Sequence, residues 1–132
     1  MGHIFANIEI EGGKGKERLE KVLVDTGATY SFLPKETLEK IGAFKHPRTK
    51  EIELGNGERL DADVYTLDIT INERTGPAAA LTFEGAKSVV GVEALESLGL
   101  KVDPSSEKLE STRPKGLAYF YSLSKLNEVT KK

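Results

Sequence analysis

One short segment constrains the fold of this chain more than any other. The apolar run Val22-Leu23-Val24 stops abruptly at Asp25, and Thr26 and Gly27 follow. An uninterrupted apolar run of this kind predicts a strand that is buried on both faces. Asp25 is therefore predicted at the tip of a buried strand, and a second apolar segment resumes at Tyr30 to Leu33. Because burial of an unpaired carboxylate is costly, we expect Asp25 to have a partner.

By itself the tripeptide Asp25-Thr26-Gly27 is a weak indication of function. Average residue usage gives a chance match in a chain of this length on the order of a few per cent of the time. The simpler interpretation is an Asx-turn, in which the aspartate oxygen accepts a main-chain hydrogen bond and closes the strand. The apolar residues on both sides of the tripeptide favour a functional carboxylate over a plain turn.

Alternating apolar residues predict short strands along most of the chain, because a two-residue period is typical of a strand with one buried face. The predicted strands are Ile4 to Ile10, Leu19 to Val24, Tyr30 to Leu33, Leu67 to Ile71, Ala79 to Phe83, Leu100 to Val102 and Leu117 to Tyr121. A turn is predicted at Asn72 to Pro77. Two short helices are expected to begin near Pro34 and Val92 and to end at Gly42 and Gly99, and a frayed helix is expected at Ser124 to Lys132. The fold class predicted is all-β.

The tripeptide Gly55-Asn56-Gly57 predicts a β-hairpin. It lies between the extended runs Glu51 to Leu54 and Arg59 to Asp63, and Asn-Gly between such runs is a strong hairpin signal. Considered alone, a hairpin of this kind is plain surface structure in about four cases of five.

Length and composition bound the functions that the chain can have. Its 132 residues suit one domain, and the net charge of -2 without a basic cluster argues against a nucleic-acid surface. The absence of cysteine excludes disulfides and thiolate metal ligands. No apolar stretch is long enough to cross a membrane and the start lacks a secretory signal, so we expect a cytoplasmic protein without a membrane partner.

The order and spacing of three features resemble the retropepsin-like aspartic peptidases, a family with retroviral, cellular and microbial members. These features are the strand that ends in Val24-Asp25-Thr26-Gly27-Ala28, the glycine-rich hairpin tip at Gly55 to Gly57, and Val89-Val90-Gly91 leading into a short helix. The segment Gly91 to Leu100 is most similar to the cellular and microbial branch. The resemblance covers about Ile4 to Leu109.

The resemblance implies a small closed barrel of the acid-protease type, with a flap hairpin and two short helices, that works as a homodimer. Residues 1–113 would form the peptidase domain and residues 114–132 a C-terminal extension. The implied activity is that of an endopeptidase acting on peptide or protein substrates without a metal or cofactor. The implied roles are catalysis for Asp25, bracing of the two catalytic loops for Thr26, close substrate approach for Gly27, substrate binding for Ala28, Thr29, Gly55, Asn56 and Gly57, and a structural role for Gly91.

The chemistry explains why a dimer is expected. Amide hydrolysis needs a base that takes a proton from water and an acid that protonates the substrate, and two adjacent carboxylates sharing one proton can do both. Aspartic proteases are the standard example of such a pair. This chain contains one Asp-Thr-Gly and no Asp-Ser-Gly, so one copy supplies one carboxylate. A twofold homodimer would supply the second Asp25 by symmetry.

Two positions depart from the retroviral pattern, and other functions stay open. Retroviral members carry an acidic residue and an arginine where this chain has Thr29 and Val92, so both partners of that ion pair are missing together. Leu117 to Tyr121 would add to a dimer sheet or form an internal core strand, and the two interpretations are about equally favoured. A non-catalytic dimerisation or peptide-binding module is the alternative to the enzyme, and a protease that cuts only its own precursor is a second rival.

Motifs elsewhere are weaker. His3 and His46 lack the spacing of metal ligands and are interpreted as surface residues. The segment Gly12 to Lys16 has the wrong spacing for a phosphate-binding loop and predicts a hairpin tip instead.

Overall fold

The structure, a computed structural model, describes residues 3–120. Within them lie nine strands and two helices: β1 Ile4–Gly12, β2 Gly15–Val24, β3 Ser31–Phe32, α1 Lys35–Lys40, β4 Phe44–Glu53, β5 Arg59–Ile71, β6 Arg74–Thr82, β7 Val89–Val90, α2 Val92–Leu98, β8 Leu100–Asp103 and β9 Lys108–Ser111. The predicted all-β class and the two short helices are confirmed. Neither helix within this part of the chain has the length and apolar character needed to cross a membrane.

Seven strands form a ring-like sheet. Their order is β1-β2-β7-β3-β6-β5-β4, and an additional pairing between β1 and β5 brings the two sides of the sheet together. One hydrophobic cluster joins side chains from β1, β2, β5, β6, β7 and both helices. Its largest fully buried members are Tyr65, Ile10, Leu38, Ile41, Ile71 and Val90. The short strands β3 and β7 lie between the long hairpins, so the loop that follows β2 emerges at the junction of the two halves of the ring.

Both helices end as the sequence predicts. Gly42 follows α1 with φ 70° and Gly99 follows α2 with φ 72°, and this left-handed conformation costs a glycine little. Pro34 lies at the N-cap of α1 with φ −62°, one position before the first helical residue.

The turn predicted at Asn72 to Pro77 is wrong in its extent. The chain reverses at Asn72 and Glu73 alone, which have φ 52° and 64°, and β6 then runs through Pro77. A proline is tolerated there because the backbone N–H groups along a strand point alternately to its two neighbouring sides. Ala79, two residues later, points its N–H away from β5 and donates to Glu93 Oε1 at 3.1 Å. The N–H that Pro77 lacks would point to the same side, so no ladder bond to β5 is lost.

The late strand predicted at Leu117 to Tyr121 does not form over its described part. Leu117 N–H donates to Pro114 O at 3.2 Å, which closes a turn, and Arg113 Nε donates to the Leu117 carbonyl. Phe120 is 82% exposed, so the interpretation as an internal core strand is wrong. Tyr121 and the helix expected at Ser124 to Lys132 lie outside the described residues. Strand β9, Lys108–Ser111, was not predicted from the sequence.

A buried phenol predicts an alkaline weakness of the fold. Tyr65 is 1% exposed and its hydroxyl donates to Glu39 Oε2 at 3.1 Å. Burial, and then the bond to Glu39, raise the pKa of Tyr65. The pKa of Tyr65 in the folded protein lies above its pKa of about 10 in the unfolded chain. Below pH about 10 the protonated Tyr65 therefore contributes its full stabilisation to the fold. This stabilisation is lost as the pH rises through the folded-state pKa.

Tyr65→Phe should therefore lose less stability than the parent as the pH rises above about 10. At neutral pH its free energy of unfolding should be about 1 kcal/mol lower than that of the parent, because the bond to Glu39 is missing. Urea unfolding midpoints measured from pH 7 to 11 check this, with Tyr119→Phe, at an exposed position, as the matched control. An unchanged alkaline slope in Tyr65→Phe would contradict the assignment.

Candidate active site

The loop after β2 is held in place by the strand ladder below it. β2 pairs in parallel with β7, and Asp25 N–H donates to Val90 O at 2.9 Å, which extends the ladder by one residue. The chain then turns, and Ala28 N–H donates to Asp25 O at 3.1 Å. The backbone of Asp25 is thus fixed on a buried strand, as the apolar run before it predicts, while its side chain leaves the sheet at the strand end.

The Asp25 carboxylate has one hydrogen-bond partner among residues 3–120. Gly27 N–H donates to Asp25 Oδ1 at 2.8 Å, which is the Asx-turn that the simpler interpretation of the tripeptide predicts. A Cβ at Gly27 would lie 3.1 Å from the same oxygen, so glycine leaves room beside the carboxylate. Asp25 is exposed. Among residues 3–120 no partner carboxyl group lies against Asp25, and because its side chain is exposed it does not need one there.

Three hydrogen bonds attach the loop to the start of α2. Val92 N–H donates to Ala28 O at 2.8 Å and Glu93 N–H donates to Thr29 O at 2.8 Å. Gly91 N–H donates to the buried Ser31 Oγ at 3.1 Å. These bonds join the segment that carries Thr29 to the segment that carries Val92. Two bonds between main-chain groups and one bond to a serine hydroxyl therefore hold the two segments together.

Gly91 lies directly behind the loop. A Cβ at this position would collide with the Tyr30 carbonyl and would lie 2.8 Å from Ala28 O. The backbone of Gly91 is extended, with φ −102° and ψ −179°, so contact and not conformation requires the glycine. The structural role expected for Gly91 is consistent with this close approach.

A cleft of about 880 Å³ lies between the Asp25 loop and the β4–β5 hairpin. Its apolar lining includes Phe32, Ile52, Leu54, Leu81, Phe83 and Val89. The rings of Phe32 and Phe83 meet edge to face, with centroids 6.0 Å apart. A cleft of this size with an apolar floor and a carboxylate at one side fits a short extended peptide.

The predicted hairpin is present, and its tip is a closed turn. Leu54 N–H donates to Glu58 O at 2.8 Å, Gly57 has φ 87°, and Asn56 Oδ1 accepts a hydrogen bond from Glu58 N–H at 2.9 Å. Gly55 lines the cleft, whereas Asn56 and Gly57 do not. Asn56 and Gly57 therefore shape the turn in the single chain.

The sequence-predicted residues fall into two groups. The cleft lining includes Asp25, Gly27, Ala28, Thr29 and Gly55. Thr26 is exposed beside the cleft, and its hydroxyl makes no hydrogen bond to another residue between 3 and 120. Thr26 is therefore an exposed loop residue that does not line the cleft.

Sequence reasoning missed Tyr30, Lys50 and Lys87, which also line the cleft. Lys50 Nζ lies 5.4 Å from the centroid of the Tyr30 ring, a cation–π contact between the hairpin and the Asp25 loop. The sequence pattern that could have revealed Lys50 is the two-residue spacing of residues 50, 52 and 54. This spacing places Lys50 on the same face as Ile52 in β4 and as Leu54, which follows the strand.

No group of three or more His, Cys, Asp or Glu side chains within the described part of the chain is arranged to hold a metal ion. No protein-family model matches this sequence. A search of curated proteins likewise finds no match.

Proposed function

We propose that the chain is an aspartic endopeptidase with a retropepsin-like fold that is active as a homodimer. One observation carries the proposal: the Asp25 carboxylate, fixed at a strand end, opens into a cleft that the β4–β5 hairpin overhangs. The cleft lining includes Phe32, Ile52 and Leu81, which suits the apolar side chains of a bound peptide. The proposed site of action is a peptide bond lying across the Asp25 loop.

The second carboxylate comes from the twofold-related copy. In the single chain both Asp25 and Thr26 are exposed, and a partner loop packed against them would cover both side chains. The two Asp25 side chains would then share one proton, with one accepting a proton from water and the other protonating the substrate. Gly27 leaves space for the substrate backbone beside the pair.

The β4–β5 hairpin acts as a flap over the bound peptide. Its tip residue Gly55 has no other atom within 4 Å of an added Cβ, so the tip is free to approach a substrate. Closure would exclude water and add main-chain hydrogen bonds to the peptide. The Lys50–Tyr30 contact gives the flap an attachment to the loop that it closes over.

A peptide-binding module without catalysis is the second candidate. It is favoured by the Gly27 N–H bond to Asp25, which already satisfies one carboxylate oxygen without any partner. In that case the cleft would hold a peptide and leave it intact. A protease that processes only its own precursor is a third candidate, with the same site and a narrower substrate.

Incubation of the protein with a peptide library from pH 3 to 7, followed by mass spectrometry, tests the proposal. We expect cleavage next to large apolar residues, together with a dimer in sedimentation at low micromolar concentration. Peptide binding without any cleavage would instead establish the binding module. A persistent monomer that cleaves peptides would overturn the dimeric site.

A further inference from the structure

The cleft-facing side of the flap carries a positive charge. Lys50 reaches down from β4 to the Tyr30 ring, so its side chain lies on the cleft side of the strand. Its cross-strand partner is the fully buried Ala62, and the next partners on this face are Ile52 and Leu60, neither of which is exposed. The inward face of the flap is therefore apolar except for the ammonium group of Lys50.

The acidic residues of the flap point the other way. Glu51 and Glu53 alternate with Lys50 and Ile52, and their cross-strand partners Asp61 and Arg59 are exposed. Glu53 Oε1 lies 3.2 Å from Arg59 Nε, so the Glu53 carboxylate forms an ion pair with Arg59 on the outer face. Glu51 and Glu53 also line the cleft, but no carboxylate oxygen of either lies within 4.0 Å of Lys50 Nζ.

A second lysine borders the same cleft. Lys87 is exposed and lines the cleft two residues before Val89. Within residues 3–120, neither Lys50 nor Lys87 lies within 4.0 Å of a carboxylate oxygen. A cation–π contact leaves the N–H donors of an ammonium group without acceptors, so Lys50 is held in position and still able to bind an anion.

We propose that Lys50 and Lys87 select peptides that carry an acidic side chain close to the apolar residue bound by the cleft. This inference rests on the proposed function, since it names the substrate class of the same site. A glutamate or aspartate beside the apolar residue would receive charge-assisted hydrogen bonds from one or both ammonium groups. A lysine or arginine at that place would meet like charge, which disfavours basic substrates.

Matched peptides that differ only by Glu or Gln beside the cleaved bond measure this selection. The parent protein should show a ratio of kcat/KM, Glu over Gln, of about five at pH 6, a size typical of partly exposed ion pairs. In Lys50→Gln/Lys87→Gln the ratio should fall to about one. In the parent it should also fall to about 1.5 at pH 3.5, because glutamate, with a pKa of about 4.3, is then mostly neutral.

Lys35→Gln, which removes an exposed lysine of α1 away from the cleft, is the matched control and should keep the parent ratio. A ratio near one in the parent, or a ratio unchanged in the double variant, would overturn the inference.

A binding arm separates this inference from the proposed function. The same two peptides are titrated into Asp25→Asn protein by fluorescence anisotropy, where the Glu peptide should bind about fivefold more tightly. Failure of the parent to cleave any peptide, with this binding preference intact, would sink the proposed function alone. Cleavage without a Glu preference in either arm would sink this inference alone.

Discussion

Asp25→Asn is expected to lower kcat/KM for peptide cleavage by about a thousandfold or more. The amide of asparagine can neither take a proton from water nor share one with a second carboxylate, and general acid–base catalysis is typically worth about 10² to 10⁴ in rate. Asparagine keeps an oxygen that can accept the Gly27 N–H bond, so the loop should stay folded. The measurement is hydrolysis of a fluorogenic peptide that the parent cleaves.

Asp68→Asn is the matched control for this change. Asp68 is an exposed carboxylate on β5 that does not line the cleft beside Asp25, so its removal should leave cleavage within about twofold of the parent. Equal rates in the parent and in Asp25→Asn would remove Asp25 from the chemistry. The thermal unfolding temperatures of both variants should match that of the parent. Such a match would show that a loss of activity does not come from unfolding.

Gly91→Ala is expected to destabilise the protein by about 1 to 2 kcal/mol. The new methyl group would overlap the Tyr30 carbonyl and crowd Ala28 O, both of which are backbone atoms that cannot rotate away. Overpacking of this kind costs about 1 to 3 kcal/mol, and the smaller entropy of the unfolded alanine chain offsets only about 0.4 to 1 kcal/mol. Relief of the clash would push the Asp25 loop away from α2, so activity should fall as well.

Gly13→Ala provides the comparison. A Cβ at Gly13 meets its nearest neighbour, Gly42 O, at an ordinary 3.5 Å, and the residue does not have a positive φ. Its free energy of unfolding should equal that of the parent or exceed it by up to about 1 kcal/mol in urea titrations. Were Gly91→Ala as stable as Gly13→Ala, the close packing of the loop against α2 would not describe the protein in solution.

Local patterns in the sequence predicted the elements that carry the site. The apolar run before Asp25 predicted the end of β2, and Asn56-Gly57 predicted the hairpin tip. Both predictions depend on contacts within a few residues of the chain. Gly42 and Gly99 likewise marked the helix ends through their left-handed conformation.

Long-range features were beyond those patterns. The parallel pairing of β2 with β7 and the pairing of β1 with β5 depend on the whole ring, and no short motif encodes them. The reach of Lys50 to Tyr30 depends on how far the flap folds over the loop. The extent of the turn before Pro77 was misjudged because the direction of its missing N–H becomes visible only in the sheet. The exposure of Leu117 to Phe120 could not be predicted from their apolar side chains alone.

The central claim, that two copies of Asp25 from two protomers form one site, is tested most directly by mixing. Parent and Asp25→Asn protein are exchanged at a concentration where sedimentation shows dimers, and the activity is measured against the fraction of parent chains. Because only dimers with two intact copies would be active, the activity should fall as the square of that fraction, to about one quarter at equal mixing. A linear fall, to about one half, would show that each chain works alone and would contradict the account.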